Sequence, residues 1–123
     1  MSFNEALASL PESVMNIEKS NEIIELVVYT IKPEMNAIYV NSAIEKFRQL
    51  VMSFEGFISY EFYQSSRSEN VFMDYVRWSS LECAEEAAKQ VKILQKSPEY
   101  KEYVDSFESL EIFNHFSQLK AWS

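Results

Sequence analysis

The chain has 123 residues, 47% of them hydrophobic and 15% aromatic, so it is long enough and apolar enough to fold as one domain with a substantial core. Its formal net charge of −8 opposes binding to nucleic acids and to anionic membranes, and neither partner is expected. Cys83 is the single cysteine, which excludes an internal disulfide and a thiolate metal cluster and indicates a reducing compartment.

Residues 1–21 precede the first strong structural pattern. Phe3, Leu7 and Leu10 recur at helical spacing before Pro11 interrupts them. The pattern predicts a partly helical N-terminal arm, with disorder as the alternative. The arm carries no basic leader followed by an apolar run, and no stretch of about 18 apolar residues occurs in the chain. We therefore expect a cytoplasmic protein with one domain over residues 22–123.

The first half of that domain predicts a strand and a helix. Glu22–Lys32 is rich in β-branched residues and stops at Pro33, which favours a strand. From Asn36 to Phe54, apolar residues recur every three or four positions, which predicts an amphipathic helix. Its expected inward stripe comprises Val40, Ala43, Ile44, Phe47, Leu50, Val51 and Phe54.

The second half predicts a hairpin, two helices and a last strand. Phe57–Ser65 and Val71–Trp78 are apolar runs joined by a short polar turn, so they are expected to pair antiparallel. Ser79 followed by Glu82 predicts a capping box at the start of the next helix. A short helix then begins at Ser97-Pro98, with Tyr100, Val104 and Phe107 as its expected inward residues, and a strand closes the chain at Leu110–Leu119.

This order of elements is βαββαβ, a ferredoxin-like α+β sandwich in which both helices cover one face of the sheet. Apolar residues occur at both parities of the first two strands, so the uncovered face is also apolar. An exposed patch of that size is unusual for a monomer. We therefore expect a homodimer formed through the open sheet face.

Three segments and one later residue resemble a known family. They are ELVVYTIKP at Glu25–Pro33, FEGFISYE at Phe54–Glu61, VRWSSLECA at Val76–Ala84, and His115 in the final strand. Together they are similar to the antibiotic biosynthesis monooxygenase (ABM)-like domain of the dimeric α+β barrel superfamily.

The resemblance implies a homodimer with a pocket between sheet and helices in each subunit. It also implies oxygenation of a small aromatic or polyketide-type substrate without metal or flavin, so no cofactor is expected. A dry aromatic pocket with few polar groups suits that chemistry. The alternative is a non-catalytic small-ligand-binding or assembly domain of the same fold.

His115 and Trp78 are the candidate catalytic residues. His115 is the only histidine, and an imidazole can act as a base near neutral pH. A hydrogen-bonded structural histidine is the alternative. Trp78 matches the pocket tryptophan that the resemblance implies, with core packing as its alternative. A single histidine without cysteine partners predicts no metal site.

Four further residues are candidates for substrate binding: Tyr29, Asp74, Arg77 and Tyr60. Asp74 and Trp78 share one parity of their strand, whereas Arg77 has the other. A charged group beneath the helices is costly unless it is paired. Tyrosine hydroxyls could bind a quinone-like oxygen, although with seven tyrosines most must be structural.

Overall fold

A computed structural model describes residues 21–123, so the expected N-terminal arm lies outside the described residues except for Asn21. The four strands are β1 (Ile23–Ile31), β2 (Phe57–Gln64), β3 (Val71–Trp78) and β4 (Phe107–Phe116). They form one antiparallel sheet in the order β2-β3-β1-β4. This confirms the predicted ferredoxin-like α+β architecture.

The first helix, α1, is interrupted by a π-helical turn. It consists of Asn36–Ile38, the π turn Tyr39–Ala43, and Ile44–Met52. The wider turn changes the helical phase, so Tyr39 is fully buried while Val40, which was expected to face inward, is 38% exposed. The predicted stripe is therefore wrong at Val40. It is correct at Ala43, Ile44, Phe47 and Val51, which are buried, and at Phe54, which packs against the core.

The second helix, α2 (Leu81–Leu94), begins one residue later than the capping pattern predicted. Ser80 is the N-cap, and its side chain accepts a hydrogen bond from the backbone N–H of Cys83. The Ser79 hydroxyl instead lies near the Cys83 thiol. Ala84 and Ala87 are the buried residues of α2, whereas Leu81 is 43% exposed.

The third helix, α3 (Lys101–Ser106), follows a short 3-10 turn at Pro98–Tyr100. Its buried residues are Tyr103 and Ser106. The predicted inward face is therefore wrong at Val104, which is 43% exposed, and correct at Phe107, which packs against the core. The helix ends early because Phe107 has already turned to extended backbone and begins β4. Tyr103 stacks on the α1 residue Phe47 with ring centroids 3.9 Å apart.

Gly56 connects α1 to β2 in a backbone conformation that favours glycine. Its φ is +83°, and a Cβ at this position would lie 2.6 Å from the Cβ of Cys83. The single glycine of the chain thus allows the α1–β2 turn to pack directly against the start of α2.

The strand register determines which residues lie under the helices. Paired antiparallel residues point to the same face, and the pairs include Glu25 with Val76 and Val27 with Asp74. A register shift between Phe57 and Ser59 places Ile58 at an irregular, 48% exposed position of β2. Among residues 21–123, no helix is both long and apolar enough to span a bilayer.

Candidate functional site

A cavity of about 960 Å³ lies between the sheet and the helices. The sheet contributes its floor, and α2 covers it with the small side chains Ala87 and Ala88 together with Val91. Alanine keeps this face of the helix apolar while occupying little volume. The floor residues are Glu25, Val27, Tyr60, Asp74, Val76 and Trp78.

The inner wall is aromatic and the outer part is charged. Phe47, Tyr103 and Phe107 line the cavity beside the floor, where they belong to or pack against the core. The exposed lysines Lys89 and Lys92 line it from α2. Exposed acidic residues, Glu85 of α2 and Glu108 of β4, also line it.

Asp74 is the hydrogen-bonding centre of the floor. It is 3% exposed, and its two carboxylate oxygens accept separate bonds from the hydroxyls of Tyr29 at 2.7 Å and Tyr60 at 2.6 Å. The Tyr39 hydroxyl donates in turn to the Tyr29 oxygen at 2.6 Å. Tyr29 and Tyr39 are fully buried behind the cavity, whereas Tyr60 and Asp74 line it.

Burial raises the pKa of Asp74 to about 6, because a carboxylate loses solvation in this position. Hydrogen bonds from Tyr60 and Tyr29 oppose the rise in this pKa, and the nearby charge of Glu25 adds to it. Burial, followed by the Asp74 charge, also raises the pKa of Tyr29, Tyr39 and Tyr60. The three phenols therefore remain protonated donors around the carboxylate.

Glu25 and His115 form a second polar pair on the same face. They are directly opposite in the β1–β4 register, and His115 Nε2 lies 2.9 Å from Glu25 Oε1. Burial raises the pKa of Glu25, and the hydrogen bond and charge of His115 oppose that rise. Glu25 lines the cavity, so His115 is one hydrogen bond away from it.

Trp78 lies on the cavity floor near the end of the sheet. It is 1% exposed and packs edge-to-face with Phe57, with ring centroids 5.8 Å apart. Its Nε1 has no hydrogen-bond acceptor among residues 21–123. The indole therefore combines an apolar wall with an uncommitted donor.

The structure brings together five of the six residues that the sequence singled out. Tyr29, Tyr60, Asp74, Trp78 and His115 share the helix-facing side of the sheet. Arg77 does not join them, because it points to the opposite face and forms an ion pair with Glu22.

Sequence reasoning missed three members of the cluster. Glu25 was not among the candidates because its partner His115 lies 90 positions away, and only the β1–β4 register brings the two together. Tyr39 was missed because nothing in the helical pattern indicated the π turn that buries it. Tyr103 was missed because its neighbour Val104 was expected to be the inward-facing residue of α3. Within the described part of the chain, His, Cys, Asp and Glu nowhere form a group of three or more that could hold a metal ion.

The fold and cavity define a ferredoxin-like α+β protein with space for a small ligand between its sheet and its helices. The family described as antibiotic biosynthesis monooxygenase (ABM) matches residues 23–106, and the chain belongs to this family. A comparison with curated proteins finds no significant match.

Solved structures with the same fold include a mutant form of SnoaB from Streptomyces nogalater, a cofactor-independent oxygenase. The TM-score is 0.67 at 14% identity, over 82% of this chain and 96% of that one. A candidate antibiotic biosynthesis monooxygenase from Bordetella bronchiseptica also gives 0.67, at 16% identity over 80% and 97% of the two chains. A candidate antibiotic biosynthesis monooxygenase from Nitrosomonas europaea gives a TM-score of 0.63 at 11% identity, over 82% of this chain and 93% of that one. At these identities the likeness shows the fold alone.

Proposed function

We propose that this protein is a cofactor-independent monooxygenase acting on a small aromatic or polyketide-type substrate. The observation that carries the proposal is the cavity of about 960 Å³, whose inner walls are apolar and aromatic and whose floor places three polar side chains, Glu25, Tyr60 and Asp74, within reach of a ligand. Family membership supports the same reaction class. So does the fold shared with SnoaB, which is described as a cofactor-independent oxygenase.

The proposed reaction oxidises an activated methylene group of the substrate to a carbonyl. A proton leaves the carbon, and the carbanion gives its electrons to molecular oxygen. One oxygen atom is retained as the carbonyl and the other leaves as water with the two hydrogens of the methylene group. Apolar walls protect the carbanion from solvent protons.

The residue roles follow from their positions. Glu25 lines the cavity and accepts the substrate proton, and His115 is its hydrogen-bonding partner. Trp78 provides a flat wall for the ring system. Asp74 and Tyr60 bind polar groups of the substrate, supported from behind by Tyr29. Arg77 has no role here because it lies on the opposite face.

Dithranol, a planar anthrone, provides the test. We expect the protein to accelerate oxygen uptake above the protein-free rate, with one atom of heavy-isotope oxygen appearing in the product. His115→Gln should lower kcat about 10- to 100-fold, at or below the low end of the range for general acid–base catalysis because His115 acts through Glu25, with a smaller effect on KM. Lys120→Gln, at an exposed position near the C-terminus, is the matched surface control.

Two results would count against the proposal. Equal oxygen uptake with and without protein would contradict oxygenase activity on this substrate class. Tight binding of dithranol without turnover would favour the alternative, a non-catalytic ligand-binding domain of the same fold. Parent-like kcat in His115→Gln would remove the role assigned to His115.

We also propose that the protein is a homodimer formed through the open face of the sheet. Ile24, Leu26 and Val28 lie on this face in the central strand β1. On the same face, β4 contributes Ile112 and Phe116, which are 42% and 44% exposed. A contiguous apolar surface of this kind is typical of an interface.

A further inference from the structure

We propose that Asp74 determines ligand specificity, selecting a neutral planar aromatic ligand that points a hydroxyl group toward the inner end of the cavity. The inference rests on the cavity being the ligand site proposed above. The hydrogen bonds that Asp74 accepts and the negative charge of the cavity floor determine which group of the ligand faces Asp74.

The Asp74 carboxylate has acceptor capacity left over. A carboxylate offers about four lone-pair directions on its two oxygens. Tyr29 occupies one on Oδ1 and Tyr60 occupies one on Oδ2. Each oxygen therefore retains a direction for one more donor, and the carboxylate lies at the cavity floor where a ligand can supply it.

Around Asp74 the floor offers acceptors and negative charge rather than donors, because the uncommitted Nε1–H of Trp78 belongs to the last residue of β3, four positions away. Asp74 and Glu25 are both carboxyl groups, and the Tyr60 hydroxyl proton is already donated to Asp74. The lysines that line the cavity, Lys89 and Lys92, are exposed residues of α2. A ligand hydroxyl thus finds a partner at the floor, whereas a ligand carboxylate there meets like charge.

The inner walls of the cavity favour an apolar body behind that hydroxyl. Val27 and Val76 flank the acidic groups on the floor, and Ala87, Ala88 and Val91 cover them from α2. These side chains offer no hydrogen bonds, so they hold the ligand by apolar contact. The volume of about 960 Å³ accommodates a ligand of several fused rings.

Three matched probes test the proposal by calorimetry: naphthol, its methyl ether, and naphthoate. They share a ring system and differ only in the group that would face Asp74. We expect naphthol to bind at least about tenfold more tightly than the ether, since a hydrogen bond to a charged group contributes about 1.5–3 kcal/mol. Naphthoate should bind most weakly of the three.

Asp74→Asn should lower the naphthol-to-ether affinity ratio several-fold, because the amide oxygen is a neutral and weaker acceptor, and should improve the relative binding of naphthoate. Asp105→Asn is the matched control, because Asp105 is an exposed aspartate of α3. The proposal is overturned if the wild-type ratio is already near one, or if Asp74→Asn keeps the wild-type ratio.

A measurement on the wild-type chain covers the case in which Asp74→Asn does not fold. The naphthol-to-ether affinity ratio should fall as the pH is lowered from about 7.5 to about 5, because a protonated Asp74 carboxyl is a weaker acceptor than the carboxylate. The groups that face Asp74 or line the cavity beside it are Glu25 and Tyr29 from β1, Tyr60 from β2, His115 and Glu108 from β4, Tyr39 from α1, Tyr103 from α3, and Glu85, Lys89 and Lys92 from α2.

Two facing groups, Glu25 and its hydrogen-bonding partner His115, are controlled for by substitution. In Glu25→Gln and in His115→Gln the naphthol-to-ether ratio should still fall as the pH is lowered, at a lower pH in Glu25→Gln because the Glu25 charge raises the pKa of Asp74. A ratio independent of pH in the wild type overturns the proposal. Failure of the oxygenase proposal is distinguishable, since it would abolish oxygen uptake while leaving the binding preference for naphthol intact.

Discussion

At the scale of single residues, Asp74 combines two opposed effects. The hydroxyls of Tyr29 and Tyr60 donate to it and that of Tyr39 donates to Tyr29, yet burial outweighs the two direct hydrogen bonds and raises the pKa of Asp74 to about 6 from 3.8. A group with a raised folded-state pKa binds its proton more tightly when the protein is folded. Protonation of Asp74 therefore stabilises the fold. This contribution is complete below the pKa of Asp74 in the unfolded chain and is lost as the pH rises through its pKa in the folded protein.

This gives a prediction for stability. The free energy of unfolding of the wild type, minus that of Asp74→Asn, should decrease by about 1 kcal/mol between about pH 5 and about pH 7. Chemical denaturation of both proteins across this range measures the difference. Taking a difference cancels most titrating groups that the two proteins share.

Asp105→Asn again corrects for the change in net charge. A wild-type minus Asp74→Asn difference that is flat over this range, or that increases with pH, would contradict the assigned pKa of Asp74. Such a result would mean that water reaches the carboxylate more freely than its 3% exposure indicates.

How much of the site could be predicted from sequence depends on strand parity. Asp74 and Trp78 lie four positions apart in one strand, so their shared face followed from the alternation of a strand. The contact of Asp74 with Tyr29 and Tyr60 required the register between three strands, which no local pattern contains. Tyr39 could not be predicted, because an uninterrupted α-helix would have presented Val40 instead.

At the scale of elements, two adjacent serines distinguish the predicted cap of α2 from the observed one. Ser80 has extended backbone, and its hydroxyl accepts the Cys83 N–H, whereas Ser79 lies outside the helix. Ser80→Ala should therefore destabilise the protein by about 1 kcal/mol, the usual effect of losing a helix cap. Thermal or chemical unfolding of the purified variants provides the measurement.

Ser79→Ala is the matched control for that substitution, and it should have a much smaller effect. Equal destabilisation by the two substitutions, or a larger effect at Ser79, would mean that the capping box expected from Ser79 and Glu82 forms after all. The sequence pattern could not decide between the serines, because both precede the same apolar helix. The extended backbone of Ser80 distinguishes them.

The strands were more predictable than the helices for a physical reason. β1 and β3 are buried in the middle of the sheet, so their apolar β-branched runs have clear limits. The edge strand β4 begins three residues before the predicted Leu110, because α3 is short and ends at Ser106. A helix of six residues carries too little periodicity to fix its own phase or end.

At the scale of the whole molecule, the two faces of the sheet have different roles. The helix-facing side holds the cavity with its acidic floor, and the open side is apolar at its centre. Ion pairs and polar contacts such as Arg77 with Glu22 and Tyr63 with Glu61 lie toward the edges of the open side. An apolar centre with a polar rim is the usual anatomy of a protein interface.

The proposed homodimer therefore predicts that the wild-type protein sediments at about twice the 14.4 kDa chain mass at micromolar concentration. Leu26→Glu, in the central strand of the open face, should weaken association at least about 100-fold, because two charges would be buried without partners. Leu81→Glu is the matched control, since Leu81 is exposed at the start of α2 and should leave association unchanged. A wild-type chain that stays monomeric would refute the interface, and a dimer that persists in Leu26→Glu would place it elsewhere on the surface.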